Sequence, residues 1–193
     1  GFSEVLLDKV TDPINRNHLQ TIFSSGQTLL ALINDILDLS KIEAGKMDME
    51  YTPVNLHTIL KEIHQVFLHK AQEKGLVLHS NISPKTPERL LLDEVRIRQI
   101  LFNLLGNAIK FTPEGKVSLN IENQQKSETE CLLYIRVKDT GIGIPKDQQA
   151  IIFDAFQQQS GQSTRKYGGT GLGLTITKKL VTKMGGTINL TSE

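Results

Sequence analysis

Asp139-Thr140-Gly141-Ile142-Gly143-Ile144, followed by Ile152-Phe153-Asp154-Ala155-Phe156 and closed by Gly168-Gly169-Thr170-Gly171-Leu172-Gly173-Leu174, decides how the rest of this chain is read. A polar Gln/Ser/Gly tract joins the last two pieces. Glycine permits φ > 0 and lets backbone N–H groups approach a ligand closely. A carboxylate opens the first cluster. Gly171 and Gly173 open a predicted helix, where backbone amides and the helix dipole favour phosphate. The stretch is suited to grip a base at one end and phosphates at the other.

Asp139 follows a predicted strand and can accept a hydrogen bond from the exocyclic amine of adenine, which guanine lacks at that position. Taken alone, Asp-x-Gly-x-Gly serves equally well as a turn. Upstream, Asn103 and Asn107 lie four residues apart on one helix face, with Lys110 three further on. Amide oxygens are hard, neutral ligands suited to Mg²⁺, which keeps several waters and binds together with phosphate oxygens. A lysine beside them can neutralise a phosphate. On this spacing alone, a plain polar helix face remains the competing reading.

Other nucleotide and catalytic patterns fail. Gly169–Gly173 follows a polar tract rather than a strand, and no second βα unit follows, so the dinucleotide-binding context is absent. There is no Gly-x₄-Gly-Lys-Ser/Thr, no zinc-type Cys/His spacing and no nucleophile elbow.

With 193 residues, one or two domains are expected. Lys+Arg at 22 nearly balances Asp+Glu at 21, which argues against nucleic acid or an anionic membrane as partner. The single Cys131 excludes an internal disulfide; among Leu132, Leu133 and Tyr134 it reads as a core strand cysteine in a reducing, cytoplasmic compartment. No apolar run approaches the roughly 20 residues of a membrane span, and no signal peptide is seen, so no membrane contact is expected within these residues. Gly1 is not an initiator methionine, and the chain reads as a piece of a longer protein whose membrane attachment is open.

Residues 1–46 read as a helical stalk. Phe2, Val5 and Leu6 fit the end of one amphipathic helix, and Asp8–Asp12 is a connector. Asp12-Pro13 is an N-cap followed by proline at the first helical position. Leu19, Ile22/Phe23, Leu29/Leu30, Ile33 and Ile36/Leu37 then make a heptad-like stripe, with Gly26 in the seam. About 32 residues, to Ala44 with Gly45 as C-cap, would span roughly 48 Å. Such a stripe calls for a partner: a homodimeric four-helix bundle, or packing on the following domain. His18 reads as a surface histidine.

Residues 53–193 read as one layered α+β domain. Pro53–Leu56 is a short strand, Thr58–Lys74 a helix stopped by Gly75, Leu76–Ile82 a strand and Ser83–Glu88 a loop. Asp93 caps a helix ending near Phe111. Val117–Ile121 and Cys131–Val137 form a hairpin. Asp147–Phe156 contains a short helix, Leu172–Met184 another, and Thr187–Leu190 is a strand.

Together these residues resemble a known family. Asn103-Leu-Leu-Gly-Asn107-Ala-Ile-Lys110-Phe-Thr is similar to the asparagine box of sensor histidine kinases, the two-component type, hybrid forms included. Asp139–Ile144 resembles their first glycine box, Phe153 and Phe156 their phenylalanine box, and Gly169–Leu174 their second glycine box. Leu37-Asp-Leu-Ser40-Lys41-Ile42-Glu43-Ala44-Gly45-Lys46-Met47 is similar to the junction between the family's dimerisation helix and catalytic domain.

The resemblance implies a Bergerat-type α/β sandwich, a mixed sheet with helices on one face, behind a helical hairpin that dimerises. It implies ATP or ADP with Mg²⁺ as ligands, a homodimer, and a response-regulator receiver domain as partner. By residue, it implies that Asn107 ligates Mg²⁺, with Asn103 and Lys110 at the phosphates. Asp139 reads the adenine amine, Gly141, Gly143 and Ile144 shape that wall, and Thr187 lies nearby. Phe156, Arg165 and Tyr167 belong to a lid and its border. Gly169, Thr170, Gly171, Leu172, Gly173 and Leu174 form the loop whose amides meet the phosphates.

The family's phosphoacceptor histidine sits in a His-Glu/Asp-x-Arg-Thr-Pro-type box. None of His18, His57, His64, His69 and His79 has that context. Gly1-Phe-Ser-Glu4 resembles the sequence just after the box, so the acceptor is expected upstream, and these residues alone are expected not to phosphorylate themselves. A strand beyond Thr187–Glu193 is likewise expected. Two rival readings are a clamp ATPase of the gyrase and mismatch-repair kind, and a non-catalytic module that docks a receiver domain.

Overall fold

The structure is a computed structural model describing residues 2–7, 9–155 and 171–192; it divides into two compact units, Gly1–Met47 and Asp48–Glu193. Phe156, Arg165, Tyr167, Gly169 and Thr170 lie outside the described residues.

The first unit is a helical hairpin in which α1 (Phe2–Leu7) packs on α2 (Pro13–Glu43). Asp12 caps α2 in an extended conformation, its Oδ2 accepting from the Asn15 amide at 2.9 Å, and Pro13 occupies the first turn. At the far end Gly45 takes φ 69°, and its amide and that of Lys46 bond back to Ile42 and Lys41. That geometry satisfies carbonyls the last turn would otherwise leave open. The 31 residues of α2 span about 46 Å. Its stripe lies open: Ile22 and Leu29 are each 59% exposed and Leu37 51%. Fully burying a Leu or Ile side chain is worth about 1.5–3 kcal/mol, so the stripe offers a large gain to a partner.

The second unit is built on a mixed sheet. Its strands are β1 (Thr52–Val54), β2 (Val77–Ile82), β3 (Leu90–Leu92), β4 (Lys116–Gln125) and β5 (Cys131–Asp139). The three-stranded sheet runs β2-β4-β5, β2 parallel to β4 and β4 antiparallel to β5, with Val77 opposite Lys116 and Val117 opposite Asp139. Helices α3 (Leu56–Glu73) and α4 (Glu94–Phe111) cover one face. Ile63 and Ala71 of α3, Leu101 and Leu105 of α4, and Val117, Leu119 and Ile121 of the central strand are all fully buried in one cluster. Truncating such a leucine to alanine costs about 2–5 kcal/mol, so this cluster holds α4 in place. Among the described residues beyond β5 lie the helices α5 (Lys146–Gln149) and α6 (Gly173–Lys183), and α6 packs on α4.

Several expectations are corrected. β3 falls where no element was predicted, and pairs antiparallel with β1, Thr52 opposite Leu92. Three-residue strands are too short to show a period. α3 begins at Leu56 because Asn55 caps it, accepting from Thr58 N at 3.1 Å. The short helix expected within Asp147–Phe156 is present at Lys146–Gln149, starting one residue earlier; beyond it, Ile151 N bonds to Gln148 O and Asp154 N to Ile151 O, three residues back, so the chain turns rather than continuing an α-helix. Thr187–Leu190 is not a strand. It keeps the alternation of exposed Thr187 and Asn189 with half-buried Ile188 and Leu190, but no ladder pairs with it among the described residues. Cys131 is half-buried at the mouth of the β4–β5 hairpin, opposite Gln125, rather than in the core.

Candidate functional site

Helix α4 carries the site's polar face. Asp93 starts it: Oδ1 accepts from Arg96 N and Oδ2 from Glu50 N, both at 3.0 Å, and the residue is buried. Ile97, Leu101, Leu105 and Ala108 take the core side, which leaves Asn103, Asn107 and Lys110 half-buried on another flank. Along the axis, Asn103 and Lys110 are about 10 Å apart. Burial lowers the Lys110 pKa from its ordinary value of 10.5, because desolvation disfavours the ammonium. Its Nζ sits 4.5 Å from the centre of the Phe111 ring.

The C-terminus of α4 would leave four carbonyls unpaired. Each has a partner. Thr112, fully buried, donates its hydroxyl to Ala108 O at 2.6 Å. Lys74 Nζ donates to Ile109 O at 2.8 Å and to Lys110 O at 3.0 Å. Ile142 N donates to Phe111 O at 3.3 Å. A cation on the negative end of the helix dipole also suits the macrodipole.

The Ile142 bond brings the turn after β5 onto the end of α4. Gly141 N donates to Asp139 Oδ1 at 2.8 Å, holding an exposed carboxylate at the strand terminus. A Cβ on Gly141 would lie 2.4 Å from Phe111 O, so only glycine lets the turn come this close. Gly143 takes φ 67°, and Ile144 N donates to Ser192 Oγ at 2.8 Å. Thr140 fixes the same turn from the other side. Its Oγ1 accepts from Lys116 N at 3.0 Å, and a Cβ on Gly115 (φ 105°) would lie 2.3 Å from that oxygen.

Midway along α4, Asn103 Nδ2 makes long hydrogen bonds to Gly173 O (3.3 Å) and Thr177 Oγ1 (3.4 Å) of α6. A Cβ on Gly173 would come within 3.2 Å of Asn103 Oδ1. Gly171 takes φ 71° and Leu172 is fully buried, so the chain entering α6 is set by one left-handed turn and one core anchor. Leu174 is half-buried in the first turn. Phe153 stacks under Lys178 of α6, Nζ 5.5 Å from the ring centre.

Of the predicted residues, Gly141, which holds Asp139, meets the C-terminal end of α4, and Gly173 meets Asn103. Thr187 lies exposed on the segment after α6. Sequence reasoning missed Lys74, Thr112 and Thr140. The Val117–Asp139 register would have pointed to Thr140, since it puts Thr140 opposite Lys116; Lys74 acts across thirty-five residues and leaves no local signal. Among the described residues no cluster of three or more His, Cys, Asp or Glu could hold a metal, so a cation here would depend on Asn107 and on oxygens from a ligand and water. That fits Mg²⁺, which retains waters and takes phosphate oxygens.

Residues 92–193 match the family model described as histidine kinase-, DNA gyrase B- and HSP90-like ATPase, and residues 1–45 match the His Kinase A (phospho-acceptor) domain. The signal transduction histidine-protein kinase BarA of Escherichia coli K12 is 44% identical over 193 residues, which is 100% of this chain and 21% of that protein. The autoinducer 2 sensor kinase/phosphatase LuxQ of Vibrio vulnificus YJ016 is 39% identical over 194 residues, covering 100% and 23%. Full-length ShkA, solved in complex with AMPPNP, superposes with a TM-score of 0.75 at 31% identity, covering 95% of this chain and 37% of that one. The chain therefore spans about a fifth of the length of the curated relatives it matches.

Proposed function

From the premise that this chain belongs to the sensor histidine kinase family, we propose that it is the ATP-binding catalytic core of such a kinase together with its dimerisation helices. The parent protein transfers the γ-phosphoryl group of ATP to a histidine and then to an aspartate of a response-regulator receiver domain. The observation that carries this reading is the junction of Asp139, Gly141 and Phe111, which sets an exposed carboxylate against the end of the helix bearing Asn107 and Lys110.

In this reading the Asp139 carboxylate, one oxygen already held by Gly141 N–H, accepts the adenine amine with the other. Gly141, Gly143 and Ile144 form the wall beside it. Lys110 and Asn103 meet the phosphates, as do the amides at the start of α6. Asn107 would hold Mg²⁺, which supplies charge neutralisation across the phosphate oxygens. Arg165, Tyr167 and the glycine residues before Gly171 are assigned to the same nucleotide on their sequence alone. Catalysis in this class is mostly positioning and electrostatic stabilisation, so the residues that fix α4 matter as much as those that touch ATP. None of the five histidines is assigned as phosphoacceptor.

The exposed stripe of α2 supports a homodimer, a second copy burying Ile22, Leu29 and Leu37. The test of the whole reading is γ-labelled ATP supplied to the full-length protein. Acid-labile, base-stable label on a histidine is the expected result. Hydrolysis with no phosphohistidine would instead favour the clamp-ATPase reading.

A further inference from the structure

An open pocket of mixed polar and apolar lining lies between α3 and the edge strand β2, with His57 and Lys61 exposed at it and His64 and Ser80 half-buried. It has a volume of about 250 Å³ and is lined by His57, Leu60, Lys61, His64 and Ser80. His57, Lys61 and His64 recur at steps of four and three, so they share one face of α3. Ser80 comes from β2, whose half-buried residues face the helices. The lining thus combines an ammonium, two imidazoles and a hydroxyl, with no carboxylate.

The hydrogen-bond arithmetic points outward. His64 Nδ1 and Ser80 Oγ are 2.8 Å apart. A neutral imidazole carries one N–H and serine one O–H, so the pair holds two donor protons and uses one between them. Whichever tautomer is present, one donor remains for a ligand. If Nδ1 donates, that donor is the Ser80 hydroxyl; if it accepts, it is His64 Nε2–H. Adjacent charge supports the same reading. The first turn of α3 contains no acidic residue, although a helix start favours negative charge, and His57 stands there. Glu62, the nearest carboxylate in sequence, is turned to Arg98 at 2.6 Å.

We propose that this cavity is an anion site, separate from the nucleotide cleft, for a tetrahedral phosphate-type oxyanion. Lys61 supplies the charge, and His57 and the His64–Ser80 pair supply oriented donors. Leu60, buried in the core, is the apolar member of the lining. The oxyanion is either inorganic phosphate or the phosphoryl group of a larger molecule, and both present the same oxygens to these donors.

Imidazole proton–carbon NMR spectra of this chain, titrated with inorganic phosphate in the presence of saturating AMPPNP, test the proposal. Saturable shifts of the His57 and His64 signals below about 10 mM are expected, with His69, exposed on the same helix, as the unmoved control. Lys61→Gln should weaken the apparent affinity at least fivefold with melting temperature and AMPPNP affinity unchanged, and Ser80→Ala should weaken it too with AMPPNP affinity unchanged. O-phosphoserine is the second probe. Equal or tighter binding than inorganic phosphate supports a phosphorylated partner; weaker binding supports the free ion. Shifts that stay linear, that appear equally at His69, or that survive Lys61→Gln unchanged overturn the site. Loss of AMPPNP binding by the unmodified chain would instead count against the nucleotide reading.

Discussion

The amide nitrogen of Gly141 lies 2.8 Å from Oδ1 of Asp139, so the carboxylate at the end of β5 is oriented by the turn that follows it. The same turn is pressed against Phe111 O, where a side chain on Gly141 would clash at 2.4 Å. Gly141→Ala therefore has to push the turn off the end of α4. We expect a loss of about 1–3 kcal/mol of stability, the range for strained or overpacked sites. Nucleotide affinity should fall at least tenfold, measured by calorimetry at a temperature where the variant is folded.

Thr140 and Gly115 make a second such contact. Thr140→Val keeps the shape but leaves Lys116 N without its acceptor. A stability loss of about 1 kcal/mol is expected from denaturant unfolding. Gly115→Ala combines φ 105° with a 2.3 Å clash and should cost more than Thr140→Val. Equal effects would mean the turn relaxes freely.

Lys74 and Thr112 predict how the site helix is held. Lys74→Met removes the donor to Ile109 O and Lys110 O. About 1–2 kcal/mol of stability should be lost, as for cations at helix C-termini. Hydrogen exchange should quicken in the last turn of α4 more than in α3.

Lys110 gives a pH prediction. Its pKa is lowered by burial, so between that value and the ordinary 10.5 the unfolded chain binds more protons than the folded one. Stability therefore rises with pH through that window, and the charged form is a cost below it. Lys110→Met should remove this rise. A phosphate beside Lys110 favours the ammonium, so ATP affinity should fall as pH climbs through the lowered pKa, and Lys110→Met should abolish that dependence.

Much of this was legible from local chemistry. Asp12-Pro13, Asp93 and the glycines at 45 and 75 marked helix ends because capping is decided within a few residues. The face of Asn103, Asn107 and Lys110 followed from helical spacing. What escaped depends on distant partners. β1 and β3 are three residues each and exist only as a pair. Thr187–Leu190 had strand composition, but composition does not supply a ladder. Asn103 was expected at phosphates, yet its amide also bonds to Gly173 and Thr177, a contact across seventy residues.

The most direct measurement is calorimetric titration of AMPPNP, with a guanine analogue as control, into this chain and into Asp139→Asn. If Asp139 accepts the adenine amine, losing the carboxylate should weaken binding by more than about 1.4 kcal/mol, over tenfold, since hydrogen bonds to charged groups are worth about 1.5–3 kcal/mol. The unaltered chain should discriminate against guanine, and Asp139→Asn should not. Equal AMPPNP affinity in the two proteins, or tight guanine binding by the unaltered chain, would contradict the assignment of this cleft.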